Sequence, residues 1–341
     1  PPSGALERGL KDLEPGETWW LEPRIDPDNP RLCSPGIKAG VKAGSYAHRT
    51  EFFGPLLSVL VAEDLDEAIR WANDTPYGLT AGFHSLDERE QARFLAQMDA
   101  GNLYVNRTTT GAIVRRQPFG GRKASSFGPG AKAGGPNYVL QFAHISERPL
   151  GPSQTVALSA EVEALLGGLS GDLRKIAEHD ALAIEATFGV EVDPSQLRGQ
   201  DNLFRYQNHG RVLLALFEDA KAEELARVVL ALTALGVSFE IATPHRQVLG
   251  ALEGLLAKGQ VSSEPFDARL ERGGFARLRV IGTPPQTLHE RANPWVTHVD
   301  VSPVMRHPKI ELRKYLLEQS LSVDFHRYGH MGLRELSQES P

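Results

Sequence analysis

Two hydrophobic periods alternate along the first part of the chain. Residues 56–61 form a short apolar run that ends in charged residues, which is typical of a buried strand. Residues 64–72 carry apolar side chains at helical spacing behind a capping-box pattern. Residues 79–84 and 103–106 predict strands, and residues 87–98 predict a second helix between them. We expect that second helix to bury Ala92, Leu95 and Ala96. The order strand, helix, strand, helix, strand predicts an α/β layered domain.

A stretch rich in glycine and proline follows this pattern. Residues 117–137 predict close-packed loops rather than regular elements. Residues 139–142 predict a closing strand. Around residues 148–153 the composition becomes that of a linker. We therefore predict two domains, covering residues 1–147 and 148–341.

The second half has the pattern of another α/β domain. It predicts helices over residues 156–184, 222–235 and 247–257, and strands over 211–217, 237–242, 277–281, 295–301 and 321–325. The unit from 211 to 242 is a predicted strand, helix and strand joined by short turns, in the style of a dinucleotide-binding fold. The segments that follow the strands, 218–221 and 281–285, contain no glycine cluster to hold a pyrophosphate. The fold pattern is present, and the phosphate-binding loop is absent.

Composition narrows the class of protein. The chain has 341 residues with 37 basic and 43 acidic side chains, and the net charge of −6 argues against broad nucleic-acid binding. No stretch approaches the length of a membrane span, and the first residues resemble no targeting signal. The single cysteine, Cys33, excludes an intrachain disulfide and a cysteine-rich zinc site, and it fits a cytoplasmic location. The chain opens without an initiator methionine, so we interpret it as a fragment.

Four motifs in fixed order over about 70 residues resemble the C-terminal part of the aldehyde dehydrogenase catalytic domain. They are Glu51-Phe52-Phe53-Gly54-Pro55, residues 73–82 (NDTPYGLTAG), residues 100–107 (AGNLYVNR) and residues 118–123 (PFGGRK). Residues 110–114 (TGAIV) before Gln117, and residues 130–138 (GAKAGGPNY), resemble the glutamate-semialdehyde branch. Residues 201–206 and 326–329 are similar to the C-terminal extension of long proline utilization A proteins.

This resemblance implies a fold and an activity. The fold would be a partial aldehyde dehydrogenase catalytic domain, followed by a Rossmann-like α/β domain without a phosphate-binding loop. The complete enzyme would oxidise L-glutamate γ-semialdehyde to L-glutamate with NAD in proline catabolism, as an oligomer. Its further partners would be an upstream cofactor domain and, as is common in bacteria, a fused proline dehydrogenase domain. NAD is not expected to bind this chain alone.

The resemblance also assigns two cofactor residues. Glu51 matches the carboxylate that accepts hydrogen bonds from the nicotinamide ribose, and Phe53 matches the aromatic residue that backs the nicotinamide ring. The alternatives are a surface carboxylate at Glu51 and a core aromatic residue at Phe53.

Three substrate residues follow in the same way. Gly111 and Ala112 match a loop whose main-chain N–H groups hold the substrate α-carboxylate, and Phe119 matches an aromatic residue that lines the aldehyde tunnel. The alternatives are a plain turn at Gly111 and a core position at Phe119. The basic pair Arg115-Arg116 beside Arg107 would meet the substrate carboxylate or an internal carboxylate.

The catalytic cysteine and general-base glutamate of the family are expected upstream of residue 1. Cys33 lies after the position of that nucleophile and is interpreted as an unreactive loop residue. No metal site is expected. The isolated chain should be inactive, because a nucleophile needs a base and an oxyanion hole. A non-catalytic interaction module that covers or tethers a partner dehydrogenase is the alternative function.

Overall fold

The fold was obtained as a computed structural model. It describes residues 2–169, 172–208, 210–257, 259–292 and 298–325. The chain packs as two compact units. The first comprises Pro1–Gly78 and Ser85–Ala100, and the second comprises Leu79–His84 and Gly101–Pro341. These two units do not coincide with the predicted sequence domains 1–147 and 148–341. The boundary at residue 147 remains a prediction.

The first unit contains four helices and four strands among its described residues. The helices are α1 (Gly4–Lys11), α2 (Tyr46–Arg49), α3 (Leu65–Asn73) and α4 (Glu88–Gln97), and the strands are β1 (Thr18–Leu21), β2 (Gly36–Ala39), β3 (Leu56–Ser58) and β4 (Tyr77–Gly78). Strands β1, β2 and β3 form one sheet, antiparallel between β1 and β2 and parallel between β2 and β3.

The two predicted helices of this unit are confirmed, and the predicted inner face of the second is wrong. Asp64 Oδ1 caps α3 by accepting from the Glu67 N–H at 2.8 Å. In α4 the buried residues of the helix and its C-cap are Gln91, Phe94 and Met98, whereas Ala92 and Ala96 are exposed. Burying Phe94 and Met98 removes more apolar area from water than burying alanines, so these larger side chains set the orientation of the helix.

The second unit contains the remaining elements that the structure describes. The strands are β5 (Thr80–Phe83), β6 (Asn102–Val105), β7 (Arg122–Lys123), β8 (Gln200–Asn208), β9 (Val212–Leu216), β10 (Phe239–Ala242), β11 (Arg277–Ile281), β12 (Val299–Asp300) and β13 (Leu316–Asp324). The α-helices are α5 (Ala160–Leu166), α6 (Asp172–Ala183), α7 (Ala222–Ala234), α8 (Phe266–Arg272), α9 (Leu288–Arg291) and α10 (Pro308–Glu311). Short 3₁₀ helices cover Tyr138–Phe142, Arg246–Gly254 and Leu312–Tyr315, and a π-helical turn covers Ile184–Phe188.

Two predicted elements of this unit are wrong. Residues 139–142 form part of a 3₁₀ helix rather than a strand. The predicted helix at 247–257 is a 3₁₀ segment interrupted at Gly250, where φ is +50°. Gly250 readily adopts this positive φ, which lies outside the right-handed helical region. Of the predicted strand 295–301, Val299–Asp300 forms β12, and residues 293–297 lie outside the described residues, as does the motif at 326–329.

A parallel sheet in the order β10-β9-β11-β12 forms the centre of residues 148–341, the predicted second domain, which we call the extension. The predicted strand, helix and strand unit is confirmed, since β9 and β10 pair in parallel with Phe239 opposite Val212. Every residue of β9 is buried, and α7 is buried from Leu225 to Leu232. The chain order of the strands reverses between β9 and β11, which is the switch point of an open α/β sheet. The α/β fold class is thus confirmed.

A mixed sheet in the order β5-β6-β13-β8 joins distant parts of the sequence. Strand β13 pairs in parallel with β6, with Ser322 opposite Tyr104, and antiparallel with β8, with Ser322 opposite Asn202. The aldehyde dehydrogenase-like strand β6 and the extension strand β13 are therefore neighbours in one sheet. No helix among the described residues is long and apolar enough to cross a bilayer.

Candidate functional site

The loop that follows β6 carries the predicted carboxylate anchor. The backbone adopts positive φ at Asn106 (+58°) and at Gly111 (+78°), and Gly111 and Ala112 are exposed. Across the described ranges, neither the Gly111 N–H nor the Ala112 N–H has a hydrogen-bond acceptor. A Cβ at Gly111 would meet no atom within 4 Å, so its conformation rather than crowding favours glycine there. Two adjacent, exposed main-chain donors can bind an anion.

Gln117 closes this loop on itself. Its main-chain N–H donates to the Ile113 oxygen at 2.8 Å, and its side-chain Oε1 accepts from the Ile113 N–H at 3.0 Å. Gln117 is only 2% exposed. The turn from 113 to 117 is thus fixed directly after the two free N–H groups.

The other side of the Gln117 amide faces two strands of the extension. Nε2 donates to Asn202 Oδ1 at 2.5 Å and to Ser322 Oγ at 3.2 Å. Ser322 Oγ in turn donates to Asn202 Oδ1 at 2.8 Å. All three residues are buried. We call Gln117, Asn202 and Ser322 the polar hub.

The arginines near the loop fall into two groups. Arg107 Nη1 donates to Ser322 Oγ at 2.6 Å, and its guanidinium lies 5.4 Å from the centre of the Tyr104 ring. Arg107 is therefore used inside the protein. Arg115 and Arg116 form no ion pair with any residue that the structure describes. These two cations remain available to an external anion.

Phe119 lies on a short main-chain bridge beside this loop. Its N–H donates to the Ala133 oxygen at 2.9 Å, and the Ala133 N–H donates back at 2.8 Å. The Phe119 side chain is 38% exposed, so Phe119 is not a core residue in this structure. On one side of it, the Pro118 oxygen accepts from Asn102 Nδ2 at 3.1 Å and from Ser320 Oγ at 2.6 Å.

Lys132 holds the other side of Phe119. Its Nζ donates to the Gly120 oxygen at 2.5 Å and to Asn102 Oδ1 at 2.8 Å. Burial lowers the pKa of Lys132 to about 7, and the carboxylate of Glu318 opposes that shift. Burial also raises the pKa of Glu318 above its ordinary value. An amine that exchanges its proton near neutral pH therefore supports the main chain around Phe119.

The predicted cofactor residues belong to the first unit and are described by themselves. Phe52 is buried, with its ring 6.0 Å from that of Tyr46, and it anchors the motif. Phe53 follows at φ +49° and is 91% exposed, so it is not a core aromatic residue in this structure. Glu51 is also exposed. Both side chains have the accessibility that contact with a nicotinamide nucleotide requires.

The single cysteine of the chain, Cys33, also belongs to the first unit. It is half-buried, and its Sγ donates to the Ser34 oxygen at 3.3 Å. Within the described part of the chain, no group of three or more His, Cys, Asp or Glu side chains could hold a metal ion.

The switch-point crevice of the parallel sheet is lined by acidic side chains. Asp219 accepts from the Thr283 N–H at 2.7 Å and from the Thr283 hydroxyl at 2.6 Å, and these bonds lower the pKa of Asp219. Glu218 also lines the crevice. A pyrophosphate in this crevice would lie beside the carboxylates of Glu218 and Asp219.

The motifs pointed to Gly111, Ala112 and Phe119 but assigned no role to the residues that support them. Gln117 and Lys132 lie inside quoted motifs, and Asn202 lies in the motif 201–206. The one available signal was the polar character of strand positions such as Asn202 and Ser322, which interrupts the expected apolar pattern.

A sequence model of the aldehyde dehydrogenase family matches residues 4–147. A 1-pyrroline-5-carboxylate dehydrogenase of Staphylococcus aureus is 42% identical over 111 residues, which cover 33% of this chain and 21% of that protein.

Among solved structures, proline utilization A from Corynebacterium freiburgense has a TM-score of 0.80 and 37% identity, over 97% of this chain and 31% of that one. A Thermus 1-pyrroline-5-carboxylate dehydrogenase with bound NAD is 35% identical, with a TM-score of 0.35, over 40% of this chain and 25% of that one. The chain thus spans about a third of the length of this proline utilization A and about a fifth of the curated relative. Residues 4–147 are part of an aldehyde dehydrogenase family domain, in a chain whose fold is similar along nearly its whole length to proline utilization A.

Proposed function

We propose that this chain is part of an NAD-dependent dehydrogenase that oxidises L-glutamate γ-semialdehyde to L-glutamate in proline degradation. The observation that carries the proposal is the pair of free, exposed N–H groups at Gly111 and Ala112. They lie in a segment of the aldehyde dehydrogenase family, close in sequence to two arginines without an ion pair among the described residues. A substrate with an α-carboxylate at one end and an aldehyde at the other suits such a loop.

In this proposal the chain binds and orients, and other residues carry the chemistry. NAD, when bound, accepts the hydride from the substrate. Glu51 would accept hydrogen bonds from the ribose hydroxyls, and the exposed Phe53 ring would back the nicotinamide. Gly111 and Ala112 would hold the α-carboxylate, and Phe119 would line the path of the aldehyde. The nucleophilic cysteine and the general base would come from outside this chain.

The same proposal includes the context of the chain. We place it in a cytoplasmic, oligomeric enzyme together with an upstream cofactor domain and a proline dehydrogenase domain. Several large apolar side chains are exposed to solvent. Phe53, Phe127 and Phe142 are 91%, 94% and 78% exposed. We expect Phe127 and Phe142 to be covered by other parts of the complete enzyme. We expect the isolated chain to show no NAD reduction with glutamate semialdehyde.

Gly111→Val in the complete enzyme tests the carboxylate loop. Valine is strained at φ +78° and would move the two N–H groups. Each charge-assisted bond lost should cost about 1.5–3 kcal/mol, or roughly ten- to a hundredfold in kcat/KM for glutamate semialdehyde. Propanal has no carboxylate to lose. Gly111→Ser should do less harm than valine, because a β-branched residue is the more strained of the two at positive φ. Equal losses on both aldehydes would show that the loop is only structural.

Sequencing the DNA upstream of the chain separates this proposal from the alternative of a non-catalytic interaction module. A continuous reading frame with the cysteine and glutamate motifs of the family supports the enzyme. A start codon immediately before residue 1 would favour the module, which would cover or tether a separate dehydrogenase.

A further inference from the structure

We propose that Asn202 and Ser322, on strands β8 and β13 of the extension, are positioning residues for substrate recognition. They would act through Gln117 on the loop that carries Gly111 and Ala112. This inference rests on the proposed function, since it explains how that substrate loop is held. It also gives the extension, which has no phosphate-binding loop, a role in the specificity of the site.

The first step is that the Asn202 amide has one possible orientation. Its Nδ2 donates to Ser195 Oγ at 3.0 Å and to Gln200 Oε1 at 2.9 Å. Its main-chain N–H donates to Asp193 Oδ2 at 2.9 Å. With both amide hydrogens used on that side, Oδ1 must face Gln117 and Ser322, and it can only accept there.

The second step is that Asn202 then sets the orientation of the Gln117 amide. Gln117 has to present its NH₂ group to Asn202 Oδ1, because two amide oxygens facing each other at 2.5 Å would repel. Its Oε1 consequently faces the Ile113 N–H. The Ile113 N–H is therefore occupied, whereas the N–H groups of Gly111 and Ala112 have no acceptor among the described residues.

The third step concerns Ser322, which links the hub to the local charge. Ser322 Oγ accepts from Arg107 Nη1 and from Gln117 Nε2, and it donates to Asn202 Oδ1. Its hydrogen-bonding capacity is thus full. The hydroxyl keeps the Arg107 cation bound to the mixed sheet and leaves Arg115 and Arg116 as the cations nearest in sequence to the free N–H groups.

The loop is held by residues that are distant in sequence, and their burial explains how they can restrain it. Asn202 and Ser322 stand opposite each other in the register of β8 and β13. Both are buried, so the loss of one partner leaves the others unsatisfied rather than hydrated. A loop that had only its own turn bonds would keep more conformations. The hub restrains the 113–117 turn that directly follows the two free N–H groups.

Steady-state kinetics of the complete enzyme tests the proposal with a matched pair of variants. Asn202→Ala removes the acceptor of the hub. Asn208→Ala, on the same strand, removes an exposed bond from Nδ2 to the Leu235 oxygen. We expect Asn202→Ala to raise KM for glutamate semialdehyde roughly tenfold, the effect of losing one such bond. We expect kcat and the propanal kinetics to change less than about twofold, and Asn208→Ala to resemble the wild type. Equal effects on both aldehydes, or equal effects of both variants, would overturn the proposal.

Hydrogen exchange on the chain itself gives a second readout that does not depend on catalysis. The amides of Ile113 and Gln117 should lose protection in Ser322→Ala and Asn202→Ala, while amides of β9 keep theirs. Ser322→Thr, which retains the hydroxyl, should restore protection. Unchanged protection of Ile113 and Gln117 would refute the positioning role. If the unaltered complete enzyme failed to oxidise glutamate semialdehyde, the proposed function would fall, and the exchange data would still decide whether the hub sets the loop.

Discussion

Two regions of the second unit differ in the side chains that they bury. The aliphatic layer, made of β9 and α7, buries Val212–Leu216 against a helix that is itself buried from Leu225 to Leu232. The polar pair, made of β8 and β13, buries Asn202, Gln319, Ser320 and Ser322. These four polar side chains are as closed to solvent as the aliphatic ones of β9. The two regions differ in how strongly each side chain depends on one particular partner.

Apolar contacts are weak and non-directional, so the aliphatic layer gains stability from the sum of many contacts. A buried polar group needs its partner in the right place, so the polar pair fixes register and orientation. The loops that carry Gly111 and Phe119 are attached to the polar pair through Gln117 and Pro118. The molecule thus separates the layer that stabilises the fold from the layer that orients the candidate site.

Breaking the buried charge pair between Arg227 on α7 and Asp180 on α6 should have the largest effect on stability. Arg227 on α7 donates two bonds to Asp180, at 2.8 and 3.0 Å, and both side chains are almost fully buried. Asp180→Leu leaves a buried guanidinium without its carboxylate, which should cost about 3–5 kcal/mol in the free energy of unfolding. Chemical denaturation measures it.

The double variant Asp180→Leu/Arg227→Met is the companion experiment, because it removes both charges and should recover most of the loss. Glu163→Ala breaks the exposed pair with Arg174 and should have a far smaller effect. A single variant as stable as the wild type would mean that the fold does not need the buried pair.

Leu214→Ala should be nearly as damaging by a different mechanism. Leu214 lies in the middle of β9 at 0% exposure, within the main apolar cluster. The lost burial and the cavity together should lower the free energy of unfolding by about 2–5 kcal/mol. Leu86→Ala, at a leucine that is 71% exposed, is the matched control and should change little. Comparable losses in the two variants would contradict the assignment of Leu214 to the core.

The same contrast explains what could be predicted from the sequence. Strands β9 and β11 and helix α7 follow from local apolar patterns, and the structure confirms them. The apolar run at 139–142 led to a wrong prediction of a strand, because Val139 and Phe142 are exposed in a 3₁₀ helix. An apolar run identifies a strand only when something covers it.

The candidate site could be predicted only in part. Glu51, Phe53, Gly111, Ala112 and Phe119 were found through motifs, and their roles remain predictions. The polar hub was missed because Gln117 and Asn202 are 85 residues apart, and Asn202 and Ser322 are 120 apart. A lone polar residue in a strand looks like a surface position until its partner is known. No local pattern indicates that partner.

The pH dependence of the free energy of unfolding should show how much the burial of Lys132, beside the polar pair, destabilises the fold. The pKa of Lys132 is about 7 in the folded chain, far below the ordinary lysine value, because Lys132 is buried. Between about pH 7 and pH 10 the unfolded chain therefore binds more protons at this residue, so stability should rise with pH. From pH 7 to 9 the rise should be about 2 kcal/mol.

Lys132→Met should remove that rise, although it also loses the bonds to Gly120 and Asn102. The difference in free energy of unfolding between pH 7 and pH 9 is the quantity to compare, and the exposed Lys309→Met serves as the control. Identical pH slopes in the wild type and Lys132→Met would show that Lys132 stays protonated, held by Glu318.

Ser320→Ala should have the smallest effect and gives the most direct contrast with Leu214→Ala. Ser320 is 1% exposed, as deeply buried as Leu214, and its hydroxyl donates to the Pro118 oxygen at 2.6 Å. That oxygen keeps a second donor, Asn102 Nδ2 at 3.1 Å, so it is not left unsatisfied. The loss in the free energy of unfolding should be about 1 kcal/mol, the net worth of one hydrogen bond. Denaturation of both variants under one set of conditions tests it. If Ser320→Ala destabilised the chain as much as Leu214→Ala, the polar pair would supply stability as well as orientation, and the division between the two layers would be wrong.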